Sequence, residues 1–450
     1  MSDLGEKMCI IIREHNRTSM RNRMIFFLAT SLLATTAMQA QDVISLRGRV
    51  TAKGKGVPYT TLQLQGTSIG VACNDNGDYE MKLPVNCKSD TIIIRSIGHL
   101  SLKTTVDHLQ KNGNIHLKAQ AIELKTVIVT DYSSARHLLN EVVAHIGRNY
   151  HQRTSWSTFF YRDWRTVDGE LYLFDEAVMS VRRCPYSRYA DKRGYRLDPA
   201  QREMESNLKT LLRHRLVVYD RELLESKIDK PQGCDQMLAY ADDEDFFDPV
   251  ATPQASYALA SRLLKEHSFE SLKEFSADGE HYYLVRSVGP CRTPKDRVGY
   301  EYTIRKRDLA IVRLVTTKQP VRHKAPQNAW VNVYFSSMYV EADSSVWTYD
   351  VRDGHYTLTR YYNSKSYRLE SKGRGNDDKV QRWRQCRDWV ITDFSLTSPD
   401  SKEQPIAVIP QTLAGAFGSS DYSSDFWGRY NYIPIDKLPL SLLNKKFNRQ

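Results

Sequence analysis

The chain has 450 residues, of which 41% are hydrophobic and 26% charged, a length for two or three domains of ordinary globular structure. That composition excludes collagen-like, fully disordered and polytopic membrane classes, and the length is too small for a large outer-membrane barrel with its plug. The 64 Lys and Arg against 53 Asp and Glu leave a formal charge of +11, a modest excess for this size.

The first pattern along the chain is a leader. Arg21 and Arg23 supply a positive start, Met24 to Ala34 an apolar stretch, and small residues precede a cleavage point after Ala40, with Ala37 as a second candidate. The apolar stretch is too short to span a bilayer, which needs about 20 residues; a buried N-terminal helix is the bland alternative. Residues 1–19 lack the pattern and read as a mis-assigned upstream start. No Cys follows the cleavage point, so anchoring through an N-terminal lipidated Cys is not expected. The mature chain is expected to be exported, to the periplasm or in association with the outer membrane. Removing residues 1–40 takes away five basic and three acidic side chains and leaves +9. That charge favours anionic envelope glycolipid surfaces over nucleic acid, which an exported chain seldom meets. Six of the seven Cys then remain, at 73, 87, 184, 234, 291 and 386. With no CxxC pair, a zinc ribbon or thioredoxin-type site is excluded. Disulfides or buried thiols both stay open.

Short β segments follow. Ile44 to Val50 and Tyr59 to Leu64 alternate, with a turn at Lys53–Gly56 between them and another bracketed by Gly66 and Gly70. Asp75-Asn-Gly-Asp78 is a tight-turn sequence, followed by Tyr79 to Leu83, the β-branched run Asp90 to Arg95, Ile115 to Leu117, and Thr126 to Val129. Strands at this spacing with Gly and Pro turns predict a β-sandwich.

The frame Leu46-x-Gly48-x-Val50, Val57-Pro58, Gly66-Thr67-x-x-Gly70, Asp75-x-Gly77-x-Tyr79, Ile97-Gly98 and Leu124-x-x-Val127-x-Val129 resembles the carboxypeptidase-regulatory-like domain. His99 stands where the family usually has Tyr. The resemblance implies a transthyretin-like (prealbumin-like) seven-stranded sandwich with no catalytic residues, of the kind that in Bacteroidetes precedes TonB-dependent receptors and smaller envelope proteins.

Beyond it, Ala135 to Asn149 places Leu138, Leu139, Val142, Val143 and Ile146 on one helical face, with Ser133 or Ser134 as N-cap. Thr158 to Arg162 and Leu171 to Val181 flank a turn at Asp168-Gly169. This region resembles the post-regulatory domain of unknown function in Bacteroidetes envelope proteins, and Phe426-Trp427-x-x-Tyr430-Asn431-x-Ile433 is similar to its closing motif. Pro199 to Leu216 and Pro253 to Glu266 read as helices. Strands are expected at Tyr282–Ser287, Glu301–Arg305, Ile311–Thr317, Ala329–Val340, Trp347–Val351, Tyr356–Tyr362 and Val390–Leu396, with a hairpin at Asp353-Gly354. The stretch from Tyr300 to Arg313 is similar to strand pairs in lipoprotein-carrier-like half barrels. Gly373 to Asp378 reads as a flexible loop.

Candidate chemistry is sparse. Gly66-Thr67-Ser68-Ile69-Gly70 matches the G-x-S-x-G nucleophile elbow in letters, but that motif needs a helix after its serine, and a strand follows here. His267-x-x-Glu270 resembles the imidazole–carboxylate pair of zinc carboxypeptidases, with His281 or His323 as a third ligand; a charged helix end is the plainer reading, and no HExxH occurs. The acidic run Asp242 to Asp245 with Asp248 could offer oxygens to calcium but lacks the EF-hand Gly and reads as a solvated loop, as Asp75–Asp78 reads as a hairpin turn. Arg382 to Trp389 could stack on sugars or approach headgroups, or form an edge strand with outward arginines.

The expectation is a mainly β fold with some α: residues 1–40 extension and signal peptide, 41–130 the seven-stranded sandwich, 131–155 a connecting helix, and 156–450 an α+β domain with a long curved antiparallel sheet. The function expected is non-enzymatic binding or structural work for an envelope protein, glycan or apolar ligand, with no cofactor, no metal, no nucleic acid and no transmembrane segment in the mature chain. The alternatives are an accessory to a TonB-dependent outer-membrane transport system and a metallopeptidase-like hydrolase using His267 and Glu270. An apolar cavity in the second domain would favour ligand carriage, and a packed one scaffolding.

Overall fold

The computed structural model describes residues 43–67, 69–96, 98–119, 134–183, 185–186, 209–227, 248–251, 258–277, 279–292, 297–324, 337–371, 379–397 and 424–448. The expected leader, Thr126 to Val129, Asp242 to Asp245 and Gly373 to Asp378 lie outside these residues.

The sandwich comes first. Its strands are β1 (Val43–Ala52), β2 (Lys55–Gly56), β3 (Thr61–Leu64), β4 (Gly70–Ala72), β5 (Asp78–Pro84), β6 (Thr91–Arg95), β7 (Leu102–Thr105) and β8 (Ile115–His116), with helix α1 (Val106–Lys111) after β7. One layer runs β2-β1-β5 with β8 beside β1, the other β4-β3-β6-β7. Eight strands are described where the resemblance implies seven, two of them only two residues long. Alternation buries Leu46, Val50, Leu62, Leu64, Met81, Ile92 and Ile94 between the layers. The turn before β5 follows from its letters. Asn74 Oδ1 accepts from the amides of Asn76 (3.0 Å) and Asp78 (2.9 Å), and Gly77 takes φ +79°. A Cβ at Gly77 would lie 2.3 Å from the Val50 carbonyl oxygen, so only glycine fits.

Helix α2 (Ala135–Asn149) begins at Ser134, whose Oγ accepts from the His137 amide at 3.1 Å. It buries Leu138, Leu139, Val142 and Ile146, each worth about 1.5–3 kcal/mol of removed apolar surface.

The remaining strands are β9 (Ser155–Val167), β10 (Glu170–Arg183), β11 (Lys209–Tyr219), β12 (Phe269–Ala277), β13 (Glu280–Ser287), β14 (Cys291–Arg292), β15 (Arg297–Arg305), β16 (Ile311–Lys318), β17 (Val321–Lys324), β18 (Ser337–Arg352), β19 (His355–Ser371) and β20 (Lys379–Ser395). Among the described residues they form one twelve-stranded sheet in the order β11-β10-β9-β20-β19-β18-β16-β15-β13-β12, with β14 on β15 and β17 on β18. Asp168-Gly169 and Asp353-Gly354 turn the β9–β10 and β18–β19 hairpins with positive φ at both residues, as type I′ turns require.

Helices α3 (Arg221–Lys227), α4 (Ser261–Glu266), α5 (Ser424–Arg429) and α6 (Lys437–Phe447) complete the described elements. Period-2 alternation splits β9 between the two faces of the sheet. Phe159 and Tyr161 join the core under α2 and α4, with Trp389, Tyr302 and Leu314. Phe160 points the other way, to Ala72, Val178, Trp427 and Ile433.

Three expectations change. The helix read over Pro199–Leu216 is, where described, strand β11, paired antiparallel with β10 from Leu173 to Val181; a ready hydrogen-bond ladder outweighs local helix propensity. Ala329–Val340 and Trp347–Val351 are not separate strands. Where described they belong to β18, which runs through the polar stretch Glu341 to Ser345 because β16, β17 and β19 supply partners on both sides. Arg382–Trp389 is not an edge strand but part of β20, flanked by β19 and β9. Arg382 and Arg384 do face outward, while Trp383, Arg387 and Trp389 are buried.

Candidate functional site

The site with the most constructed chemistry is the seat between the sandwich and the large sheet. On the sheet side, a row of alternating charge crosses five adjacent strands: Arg215 on β11, Glu176 on β10, Arg162 on β9, Asp388 on β20 and Arg360 on β19. Registry creates it. Glu176 lies opposite both Arg215 and Arg162, and Arg162 lies opposite Asp388. Glu176 is 0% and Arg162 2% exposed. The Arg162 guanidinium donates to Glu176 Oε1 at 3.0 Å through Nε and at 2.7 Å through Nη2, and Arg215 donates to Glu176 Oε2. Arg360 Nε donates to Asp388 Oδ1 at 2.9 Å. Burial pushes the Asp388 carboxyl up, partly offset by Arg360.

Segment 424–436 lies over this row as a strap. Arg162 also donates to the carbonyls of Ile433 and Pro434. On the sandwich side, the buried Lys82 ammonium donates to the carbonyls of Trp427 (2.8 Å) and Tyr430 (3.1 Å) and sits 4.4 Å from the Tyr432 ring centre. Desolvation lowers its pKa. Asn431 pairs with the Lys82 backbone in both directions, accepting its amide at 2.7 Å and donating to its carbonyl at 3.0 Å. The β4–β5 turn joins in: Asn74 Nδ2 donates to the Ile435 carbonyl and the Asp75 amide to Asp436 Oδ1, at 3.2 and 2.9 Å. Tyr59, at φ +59°, lies with its ring 4.1 Å from the Arg360 guanidinium. These groups are spent on other parts of the same chain, so the seat is a lattice for holding parts together. The motif Phe426 to Ile433 therefore closes the fold by strapping sandwich to sheet.

The opposite face carries a second buried polar band between two apolar clusters. Asp163, 1% exposed, accepts from Arg165 Nε (3.0 Å) and Arg387 Nε (3.3 Å), and the Gln385 amide oxygen also accepts from both guanidiniums. Burial alone would raise the Asp163 carboxyl; the two arginines outweigh it and hold it below the usual carboxylate range.

The sequence candidates fall elsewhere. Asp248 is not solvated: it is 4% exposed and accepts from Arg183, from Tyr186 Oη at 2.7 Å and from Tyr349 Oη at 2.9 Å. A buried carboxylate needs a buried cation and donors, and Arg183 at the end of β10 supplies the cation. His267 caps the end of α4. Glu270 on β12 accepts from Arg286 Nε at 2.7 Å beside an open groove of about 430 Å³ that Glu301, Gly299 and Thr317 also line. The His281 ring contacts Ser276 Oγ at 2.6 Å, and the His323 side chain lies outside the described ones. Among the described residues, no three His, Cys, Asp or Glu side chains converge for a metal. Gly66 and Gly70 flank a turn between strands β3 and β4, with Ser68 outside the described residues. Cys73, Cys291 and Cys386 are buried thiols, each pushed up by desolvation. No described helix is long and apolar enough to cross a membrane.

The class these observations define is a mainly β protein, a small sandwich seated on a large antiparallel sheet. Residues 46–129 match the family model of the CarboxypepD_reg-like domain, in agreement with the sandwich described above. No curated protein matches the chain. Among solved structures, a LolA-superfamily protein from Nitrosomonas europaea matches at 11% identity and TM-score 0.20, over 58% of this chain and 95% of that one. A DUF1329-family protein from Desulfovibrio piger matches at 10% identity and TM-score 0.25, over 60% and 96%.

Proposed function

We propose that this protein is a non-enzymatic, exported envelope module that works as a scaffold, its sandwich locked to its sheet and the assembly presenting a surface to an envelope protein or glycan. One observation carries the reading: the strapped seat, where buried charges from five strands and Lys82 of the sandwich are all engaged within the chain. The leader around Arg21 and Arg23 supports export. The large sheet's described apolar core under α2 and α4 is a continuous cluster of the chain's own buried side chains, which supports the scaffolding reading.

Cell fractionation with crosslinking, followed by solvent extraction of the purified protein and mass spectrometry, tests this. The expected result is a processed protein outside the cytoplasm, crosslinked to envelope components and free of stoichiometric lipid. Cytoplasmic retention refutes export, and one lipid per chain moves the reading to apolar-ligand carriage. Co-purification with a TonB-dependent receptor would narrow the partner to a transport system.

A further inference from the structure

The segment between α2 and β9 is tied to the tip of the β18–β19 hairpin through one imidazole. His151 follows Tyr150, the C-cap of α2, and is only 3% exposed. Its Nε2 lies 2.7 Å from the Arg352 carbonyl oxygen. A carbonyl can only accept, so Nε2 carries the hydrogen and the neutral ring keeps its basic lone pair on Nδ1. The ring packs against the exposed His355, at 5.1 Å between ring centres, and against Phe394, at 4.8 Å. The His151 carbonyl accepts from the Tyr186 amide at 3.0 Å, which fixes the backbone that carries the ring. The same hairpin tip touches the sandwich. Arg352 Nη1 donates to Gln63 Oε1 on β3 at 3.4 Å, and Asp350 Oδ2 stands 3.5 Å from Arg352 Nη1 and 3.9 Å from Arg95 Nη1 on β6. Next to the buried ties of the strap, this is a light attachment.

We propose that His151 is an acid-released pin: with its ring neutral it holds the tip of the β18–β19 hairpin in place against the sandwich, and on taking up a proton it withdraws and frees that tip. A proton on Nδ1 puts a full positive charge on a ring that water barely reaches. Phe394 on β20 is apolar and cannot compensate that charge. His355 on β19 and Arg183 at the end of β10 oppose it, while Asp353 in the turn and the Arg352 carbonyl favour it. Burial is the largest effect and decides the balance, so the imidazole is held below its ordinary range. A ring that docks neutral contributes fully above its undocked pKa, and that contribution is lost as pH falls through the undocked value toward the docked one. The window for release is therefore mildly acid, below about pH 6.5.

Exchange of the histidine C2 hydrogen in the full chain, read by mass spectrometry, gives the titration of His151 directly, because the tryptic peptide 149–153 contains a single histidine. Its midpoint is expected below that of the same peptide in the urea-unfolded chain. Amide exchange between pH 5.0 and 7.5, corrected for intrinsic rates and referred to the middle of β20, then reads the hairpin tip in peptides covering 349–357. Protection there should fall as pH falls, at most about tenfold per pH unit because one proton is taken up. His151→Gln keeps an amide donor for the Arg352 carbonyl but takes up no proton, and should show constant protection across the range. His355→Gln removes an opposing imidazole and should move the His151 midpoint upward. His108→Gln, on the exposed side of α1, should leave the fall intact. A His151 midpoint at or above the unfolded one, or a fall in His151→Gln equal to that of the wild type, overturns the proposal.

Discussion

Replacing Arg162 by Met tests the seat most directly. The substitution keeps volume and apolar stem but removes the guanidinium from between Glu176, Ile433 and Pro434. Glu176 is fully buried and, among the described residues, retains Arg215, whose side chain is 24% exposed. Removing one partner of a buried pair costs about 3–5 kcal/mol. The remaining Arg215 puts the ion-pair loss at the low end, and the carbonyls of Ile433 and Pro434 lose a donor as well, about 1 kcal/mol or more in all. We expect about 4 kcal/mol in guanidinium unfolding followed by tryptophan fluorescence. Earlier proteolytic cleavage in the C-terminal segment should accompany the loss, because the strap loses its anchor. The double variant Arg162→Met/Glu176→Leu removes the stranded carboxylate and should recover about 1–2 kcal/mol relative to the single, a coupling within the usual range for neighbours. A single variant that loses less than about 1 kcal/mol, or a double variant that is purely additive, refutes the claim that the charge row holds the seat.

Gly77→Ala should destabilise the sandwich by at least about 2 kcal/mol, since it forces a left-handed residue and places a methyl 2.3 Å from the Val50 carbonyl oxygen; thermal unfolding checks this. Asp163, held low by its two arginines, contributes stability above the ordinary carboxylate pKa that is lost as pH falls through its depressed value. Asp163→Asn should therefore destabilise at neutral pH and flatten the acid limb of a stability–pH curve, and an unchanged limb counts against the ion-pair account. Cys73, Cys291 and Cys386 should resist alkylation in the native protein and react on unfolding, read peptide by peptide by mass spectrometry, because burial both shields the sulfur and disfavours the thiolate.

Much of the architecture was legible in short-range patterns. Asp-Gly pairs at 168–169 and 353–354, the Asn74 to Gly77 turn and the Ser134 cap are local instructions, each satisfied by backbone geometry within a few residues. The heptad-like spacing of Leu138, Leu139, Val142 and Ile146 likewise needs only one helix to express itself. Strand β11 was not legible, because its state depends on the open edge of β10, which lies elsewhere in the chain. Nor was the interior place of Arg382 to Trp389: period-2 alternation reads the same at an edge and in the middle of a sheet.

The candidate site shows the same division more sharply. Phe426 to Ile433 stood out as a motif, but its role appeared only when Lys82, Asn74 and Arg162 were found beneath it, some 270 to 360 residues away. Asp248 looked like one more acid in a charged run until folding delivered Arg183, Tyr186 and Tyr349 to it. The amino-acid order alone determined turns, caps and apolar faces, since these are settled between near neighbours. Which charges are neutralised and what holds the sandwich to the sheet were decided by strand registry and long-range closure, because electrostatic pairing in a buried site depends on distance in space.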